Sequence, residues 1–339
     1  MDIRETIKNN LEQALNILGG LSSIQKANLN KGWNAEYKKL LVLKHNLILT
    51  GAPGTGKTFI AKSVAADIVS DGTKDWDTLI KEGCSKIGFV QFHPSYDYTD
   101  FVEGLRPSKN GEFRRQDGIF KAFCKRAIEA TNSISEADAT NDTPFIFIID
   151  EINRGELSKI FGELFYSIEP DYRGPKGTVQ TQYNNMVEDD DIFKAGFYVP
   201  ENVYIIGTMN DVDRGVEAMD FAIRRRFGWR EVTAEESADN MGITGLAKVK
   251  MDALNKALIE NGLTKAHCIG GAYFRKLEGD DFKALWDYHL EGIIFEYFRG
   301  EPDAQTKIDN IKKAYDDAKL PKKGQDGEGT VSTEEGSAE

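Results

Sequence analysis

Eight residues, Gly51-Ala52-Pro53-Gly54-Thr55-Gly56-Lys57-Thr58, have the spacing GxxxxGK[ST]. A β-like run, Leu47-Ile48-Leu49, precedes them, and a stretch of helical period starts at Phe59. Glycines at these positions let the backbone curl until several N–H groups and the start of the next helix face one anion. In that geometry Lys57 reaches the outer phosphates of a nucleoside triphosphate and Thr58 ligates Mg²⁺, with Gly51 to Phe59 as the nucleotide-binding run. A chance glycine turn opening a helix is the alternative. The complete match between a strand and a helix argues against it.

Phe145-Ile146-Phe147-Ile148-Ile149 is fully apolar and ends in the paired carboxylates Asp150-Glu151. This is the form of a central parallel strand that delivers acids to the carboxyl edge of a sheet. As a Walker B element, Asp150 would hold magnesium through water, while Glu151 would orient and deprotonate the attacking water. An acidic N-cap after a buried strand is the plain alternative, and the phosphate loop weighs against it. Another apolar run, Val203-Tyr204-Ile205-Ile206, leads to Asn210, whose amide suits both a γ-phosphate and the lytic water. An Asx turn is the ordinary reading of such an asparagine. Arg224-Arg225-Arg226 reads ordinarily as a solvated charged face. Arginine is equally what a neighbouring subunit uses to stabilise transition-state charge, and spacing alone does not choose.

The elements that must position these groups follow from periodicity. Strand runs at 47–49, 87–92, 145–149 and 203–206, separated by helix-like stretches, predict an α/β fold. Its parallel sheet, flanked by helices, would form a nucleotide-binding domain over residues 45–230. Before it, residues 1–44 read as a helical segment packing on the core, with Ile3, Ile7, Leu11, Leu15 and Leu18 on one stripe. Gly, Pro, Asn and the acidic run Glu188-Asp189-Asp190-Asp191 predict a hairpin-like insertion at about 170–200 with a solvated tip. Helical periods at 247–261, 281–299 and 303–319 predict a smaller all-helical lid domain over 231–320, with Trp286, Tyr288, Phe295, Tyr297 and Phe298 in its core. Residues 321–339 read as a disordered acidic tail.

Composition excludes several classes. The 339 residues are 40% hydrophobic and 29% charged, which rules out wholesale disorder and fibrous repeats. A net charge of -12 repels a polyanion over most of the surface, so nucleic-acid contact by this chain requires a local basic lining. Cys84, Cys124 and Cys268 show no CxxC spacing, which supports neither a disulfide framework nor a zinc cluster. With no export signal and no apolar run near the ~20 residues of a membrane helix, a cytoplasmic protein with no membrane partner is expected. His93 reads as a structural histidine. Phe92, Tyr96, Tyr98 and Phe101 are expected to pack against the helical domain.

Taken in order, these elements resemble the AAA+ superfamily, and their finer wording is similar to the McrB family, the nucleotide-hydrolysing motor of modification-dependent restriction systems. Asp150-Glu151-Ile152-Asn153-Arg154, followed by Leu157-Ser158-Lys159, resembles that family's extended Walker B. Met209-Asn210-Asp211-Val212-Asp213-Arg214 fits its Met-Asn-x-x-Asp-Arg signature. Val90-Gln91-Phe92-His93-Pro94-Ser95-Tyr96 resembles its segment after the second strand, and Tyr198-Val199-Pro200-Glu201-Asn202 its lead into the sensor strand. The match runs from about residue 46 to 299.

The resemblance implies a Mg²⁺-dependent GTP or ATP hydrolase forming a hexameric ring, with Arg225 and Arg226 as trans-acting fingers and Asp213 and Arg214 ordering the water-positioning network around Asn210. It also implies a McrC-like nuclease partner, with DNA reached through the complex or another domain, since residues 1–44 are too few for a DNA-reading domain. One departure lies in the lid. McrB-like lids often carry Gly-His-Ser-Tyr-Phe, and here the residues are Gly270-Gly271-Ala272-Tyr273-Phe274, with Arg275 as a candidate second sensor. A MoxR-like ATPase that remodels protein complexes shares the Asp-Glu-Ile-Asn-Arg wording, and a nucleotide-gated scaffold with slow turnover is the reading from a different class.

Overall fold

The computed structural model describes residues 32–132, 143–212, 221–277, 279 and 281–320. The expected stripe from Ile3 to Leu18, the pair Asp213 and Arg214, and the acidic tail lie outside the described residues. The described strands are β1 (Asn46–Thr50), β2 (Ile87–Gln91), β3 (Glu103–Pro107), β4 (Phe113–Asp117), β5 (Phe145–Asp150), β6 (Val203–Thr208) and β7 (Gly228–Glu231). Five of them form one sheet in the order β2-β5-β6-β1-β7, and every pair in it is parallel. Register then does functional work. Ile149 lies opposite Gly207 and Leu49 opposite Thr208, so the strands bearing Asp150 and Thr208 end together beside the loop that leaves β1.

Period-two alternation divides the apolar residues between two faces. Leu47, Leu49, Ile146, Ile148 and Ile206 pack under the helices Ala35–Lys44 and Lys57–Ser70, through Tyr37, Leu41, Ile60 and Val64. Ile48, Phe145, Phe147, Ile149 and Ile205 face the helices Ile119–Asn132 and Leu157–Phe161. Phe120 sits at the centre of that second layer, stacked on Phe101 at 4.8 Å and edge-on to Phe147 at 5.0 Å. The expectation that Phe92, Tyr96, Tyr98 and Phe101 pack against the helical domain is therefore corrected. The short helix Tyr98–Phe101 lies across the α/β core, and these rings fill that core.

The interval 170–200 contains no two-stranded hairpin. Three single 3-10 turns, Pro170–Tyr172, Pro175–Gly177 and Asn184–Met186, are joined by one antiparallel bridge between Val179 and Phe197. Prolines at the head of two of those turns remove the N–H groups that a ladder needs. Phe193, Phe197 and Val199 bury the segment against the core. Arg173, wholly buried, donates to the carbonyls of Ile168 and Val203 and to Asn46 Oδ1 at the start of β1. Burial lowers this guanidinium to about 10. Among the described residues, a two-stranded hairpin forms where β3 and β4 pair antiparallel over five residues.

From Ala234 to Asp317 the described elements are helical, with a separate core built from Met251, Leu254, Leu258, Trp286, Ile294, Ile311 and Tyr315. Of the five aromatics expected there, Trp286 and Phe298 are buried, whereas Tyr288 is 81% and Phe295 51% exposed. The buried stripe runs through Trp286, Leu290, Ile294 and Phe298, and Tyr288 and Phe295 fall off it.

Candidate nucleotide site

β1 delivers the glycine loop, and the helix Lys57–Ser70 begins at its end. Gly54 and Gly56 have φ of +74° and +84°, in the left-handed region that glycine adopts without steric cost. Gly54 meets a second demand, because a Cβ there would lie 2.5 Å from the Tyr273 ring. Lys57 is 7% exposed, and its ammonium donates to the carbonyls of Gly51 (3.0 Å) and Ala52 (2.9 Å). Thr58 Oγ1 donates to Asp150 Oδ1 at 2.7 Å, and Thr208 Oγ1 reaches the same oxygen at 2.6 Å.

Beside this oxygen cluster lies a second pair. Asn210 Nδ2 donates to both Glu151 oxygens, at 3.1 and 3.4 Å, and Arg154 Nε donates to Glu151 Oε2 at 3.1 Å. Asn153 Nδ2 donates to the Asn210 carbonyl at 3.3 Å. Glu151 has a φ of +52°, a conformation that typically costs a non-glycine residue ~1–3 kcal/mol and that clusters at functional sites. It turns the chain from β5 into the 3-10 helix Ile152–Arg154. Asp211, next along, is held above the usual carboxylate range chiefly by lost solvent, against the pull of Lys57.

A cavity of about 330 Å³ joins these groups, lined by the loop, by Glu151 and Thr208 to Asn210, and by Ala272 and Tyr273 from the helical region. That region bonds the loop backbone directly. Gly270 N–H donates to the Pro53 carbonyl and Ala272 N–H to the Gly54 carbonyl, each at 2.9 Å. A Cβ on Gly270 would lie 2.3 Å from the Gly54 backbone, so this approach requires glycine. The helix Ala234–Asn240 adds Ser237, whose hydroxyl accepts from Gly271 N–H, and Glu236, which accepts from Tyr37 OH and Arg230.

Lys57, Thr58, Asp150, Glu151 and Asn210 are thus brought together, and Gly51 to Phe59 form the loop and the first helical turn beside them. Arg225 and Arg226 stand apart. The Arg226 carbonyl accepts from Asn46 at the amino end of β1, the length of a five-residue strand, ~15 Å, from the loop. Arg226 is spent on the carbonyls of Phe165 and Ala222, with a side chain 11% exposed, while Arg225, 63% exposed, touches Glu169. Sequence reasoning gave no role to Thr208, Asn153, Arg154, Asp211 or Tyr273. Asn153, Arg154 and Asp211 stand inside the quoted motifs and Thr208 two residues before Asn210, whereas nothing in the lid run around Tyr273 shows its reach across to Gly54.

The donors at Thr58, Asp150 and Thr208 are hard oxygens, the set that suits Mg²⁺. Among the described residues no three His, Cys, Asp or Glu side chains gather into a metal site. A Mg²⁺ ion held there would need further ligands, which water and phosphate could supply.

Residues 46–227 match the family model of the AAA domain, dynein-related subfamily. The chain belongs to this AAA family. It is 38% identical over 293 residues to the type IV methyl-directed restriction enzyme EcoKMcrB subunit of Escherichia coli K12, across 80% of this chain and 58% of that one. It is 25% identical over 310 residues to the type II restriction enzyme BsuMI component YdiS of Bacillus subtilis 168, across 82% of this chain and 86% of that one. A Cytophaga hutchinsonii crystal structure aligns over 91% of this chain and 85% of its own at a TM-score of 0.31 and 11% identity, too low to carry an argument. The AAA protein is thus related to the McrB restriction subunit, as its motifs imply, and it spans 58% of that relative's length.

Proposed function

We propose that this AAA protein is a Mg²⁺-dependent hydrolase of GTP or ATP that assembles into a hexameric ring and drives or gates a McrC-like nuclease in modification-dependent DNA restriction. The observation that carries the reading is the convergence of Thr58, Asp150 and Thr208 on one oxygen cluster beside the Asn210–Glu151 pair, at the mouth of the Lys57 loop. Magnesium, when bound, would be held by Thr58 and Asp150 and would neutralise charge developing on the phosphates. The chain supplies the rest. Lys57 exchanges its two loop carbonyls for phosphate oxygens, and Glu151, oriented by Asn210 and Arg154, takes the proton of the attacking water. Arg154 at 3.1 Å helps to hold that carboxylate in place.

The distance of Arg225 from its own loop supports a role in trans, and its exposure makes it the better finger of the two candidates. In this reading Arg226 fixes the turn that presents Arg225. Asp213 and Arg214 keep the role assigned from the signature. Similarity to two restriction components supports the nuclease partner and the contact with DNA. The test is phosphate release from ATP and GTP measured side by side, with and without a McrC-like partner. Hydrolysis of either nucleotide, stimulated by the partner, is expected. Release from neither would refute the reading.

A further inference from the structure

The net charge of -12 leaves DNA contact by this chain in need of a local basic element, and the β3–β4 hairpin is such an element. Its outer part, residues 105–114, carries Arg106, Lys109 and Arg114 against the single carboxylate of Glu112. Phe113 at the tip is 67% exposed, more than any described large apolar residue except Tyr288 and Phe221. Register sorts these groups by face. Pro107 lies opposite Phe113, and on the other face Arg106 lies opposite Arg114. Like charges directly across a ribbon disfavour it, and among the described residues each meets an exposed carboxylate, Asp100 for Arg106 and Glu112 for Arg114.

The root of the hairpin is fixed. Glu103, wholly buried, accepts from Lys121 at 2.7 Å, from Arg115 at 2.9 Å and from Tyr183 N–H at 2.9 Å. Burial alone would raise this carboxyl, and the bonds from Lys121 and its neighbours hold it below the usual range. Gly104 and Gly118 pack against Thr99 and the Phe101 backbone too closely for any side chain. A rigid stalk therefore presents an exposed ring and three cations to solvent.

We infer that a nucleic-acid strand crosses the tip of this hairpin, with Phe113 on one face stacked on a base or sugar and with Lys109 at the turn and Arg106 and Arg114 on the other face set against the phosphates. A polynucleotide offers both complements at a regular repeat, while an acidic peptide offers only the charge. The inference extends the proposed function to this chain's own contact with DNA, and either can fail alone, because nucleotide hydrolysis is measured separately from strand binding.

The experiment follows a fluorescein-labelled 20-nucleotide thymidylate and a 30-base-pair duplex by anisotropy, with the full chain, magnesium and a non-hydrolysable triphosphate. The single strand is expected to bind the more tightly. Phe113→Ala should weaken it about 5- to 10-fold, and Phe113→Tyr should restore it. Removing Arg106, Lys109 and Arg114 together should weaken it at least about 10-fold and flatten the salt dependence by about 2 in the log–log slope, at unchanged hydrolysis without DNA. Three exposed cations elsewhere, Lys176, Lys256 and Arg299, serve as the charge control and should matter little. No binding by the native chain, hairpin variants that bind like it, or a control triple that weakens binding equally would each overturn the inference. So would a hairpin that captures an acidic protein and no oligonucleotide.

Discussion

Glu151 and Asn210 came from separate motifs 59 residues apart, and their 3.1 Å bond is a fact of the sheet's register. Asn210→Ala removes the group that aims the carboxylate. Turnover should fall by roughly 10²-fold with nucleotide affinity kept within about threefold, which parallel kinetics and calorimetry would check. Residue types at motif positions were legible because triphosphate chemistry restricts them. Thr208 was harder to find, since a threonine ending a strand is ordinary until its hydroxyl is seen on Asp150. His45 lies outside the site, packed on Tyr204 at 5.0 Å, and burial lowers it from 6.5 to about 4. The unfolded chain binds that proton first, so the associated stability is complete above pH 6.5 and is lost as pH falls through 4, up to about 3 kcal/mol. His45→Asn, which tolerates the φ of +58°, should flatten urea-unfolding stability over that window.

Parallel strands and amphipathic helices were readable because burial on two faces writes continuous apolar runs or clear periods. The β3–β4 hairpin was not, because Glu-Gly-Leu-Arg-Pro and Phe-Arg-Arg-Gln-Asp show no apolar face, its stability residing in the buried Glu103 cluster at its root. The interval 170–200 was only partly readable, since the exposed acidic run from Glu188 to Asp190 shows in the sequence while the complete burial of Phe193, Phe197 and Arg173 does not. Phe120→Ala should cost about 3–5 kcal/mol in chemical denaturation, because its ring joins the hairpin's root, the sheet and the neighbouring helices in one layer. The joint between loop and helical region makes its own prediction. Gly270→Ala places a methyl group 2.3 Å from the Gly54 backbone, so nucleotide affinity should drop at least about 10-fold while the helical core keeps its melting behaviour.

At the scale of the whole molecule, the phosphate loop and the Arg225–Arg226 turn lie at opposite ends of β1, and in the proposed ring a second copy would complete the site. Mixing Arg225→Ala with a Glu151→Gln chain should recover part of the activity that each lacks alone, and the recovery should rise with protein concentration. The joining of the helical region to the loop through Gly270 and Ala272 was invisible in the sequence, because it rests on backbone donors that any residue carries. The most direct test of the central claim compares binding and turnover of a magnesium triphosphate by Glu151→Gln and the native chain. The account predicts binding within about threefold of native with turnover reduced ~10²- to 10⁴-fold. Native turnover in that variant would contradict it.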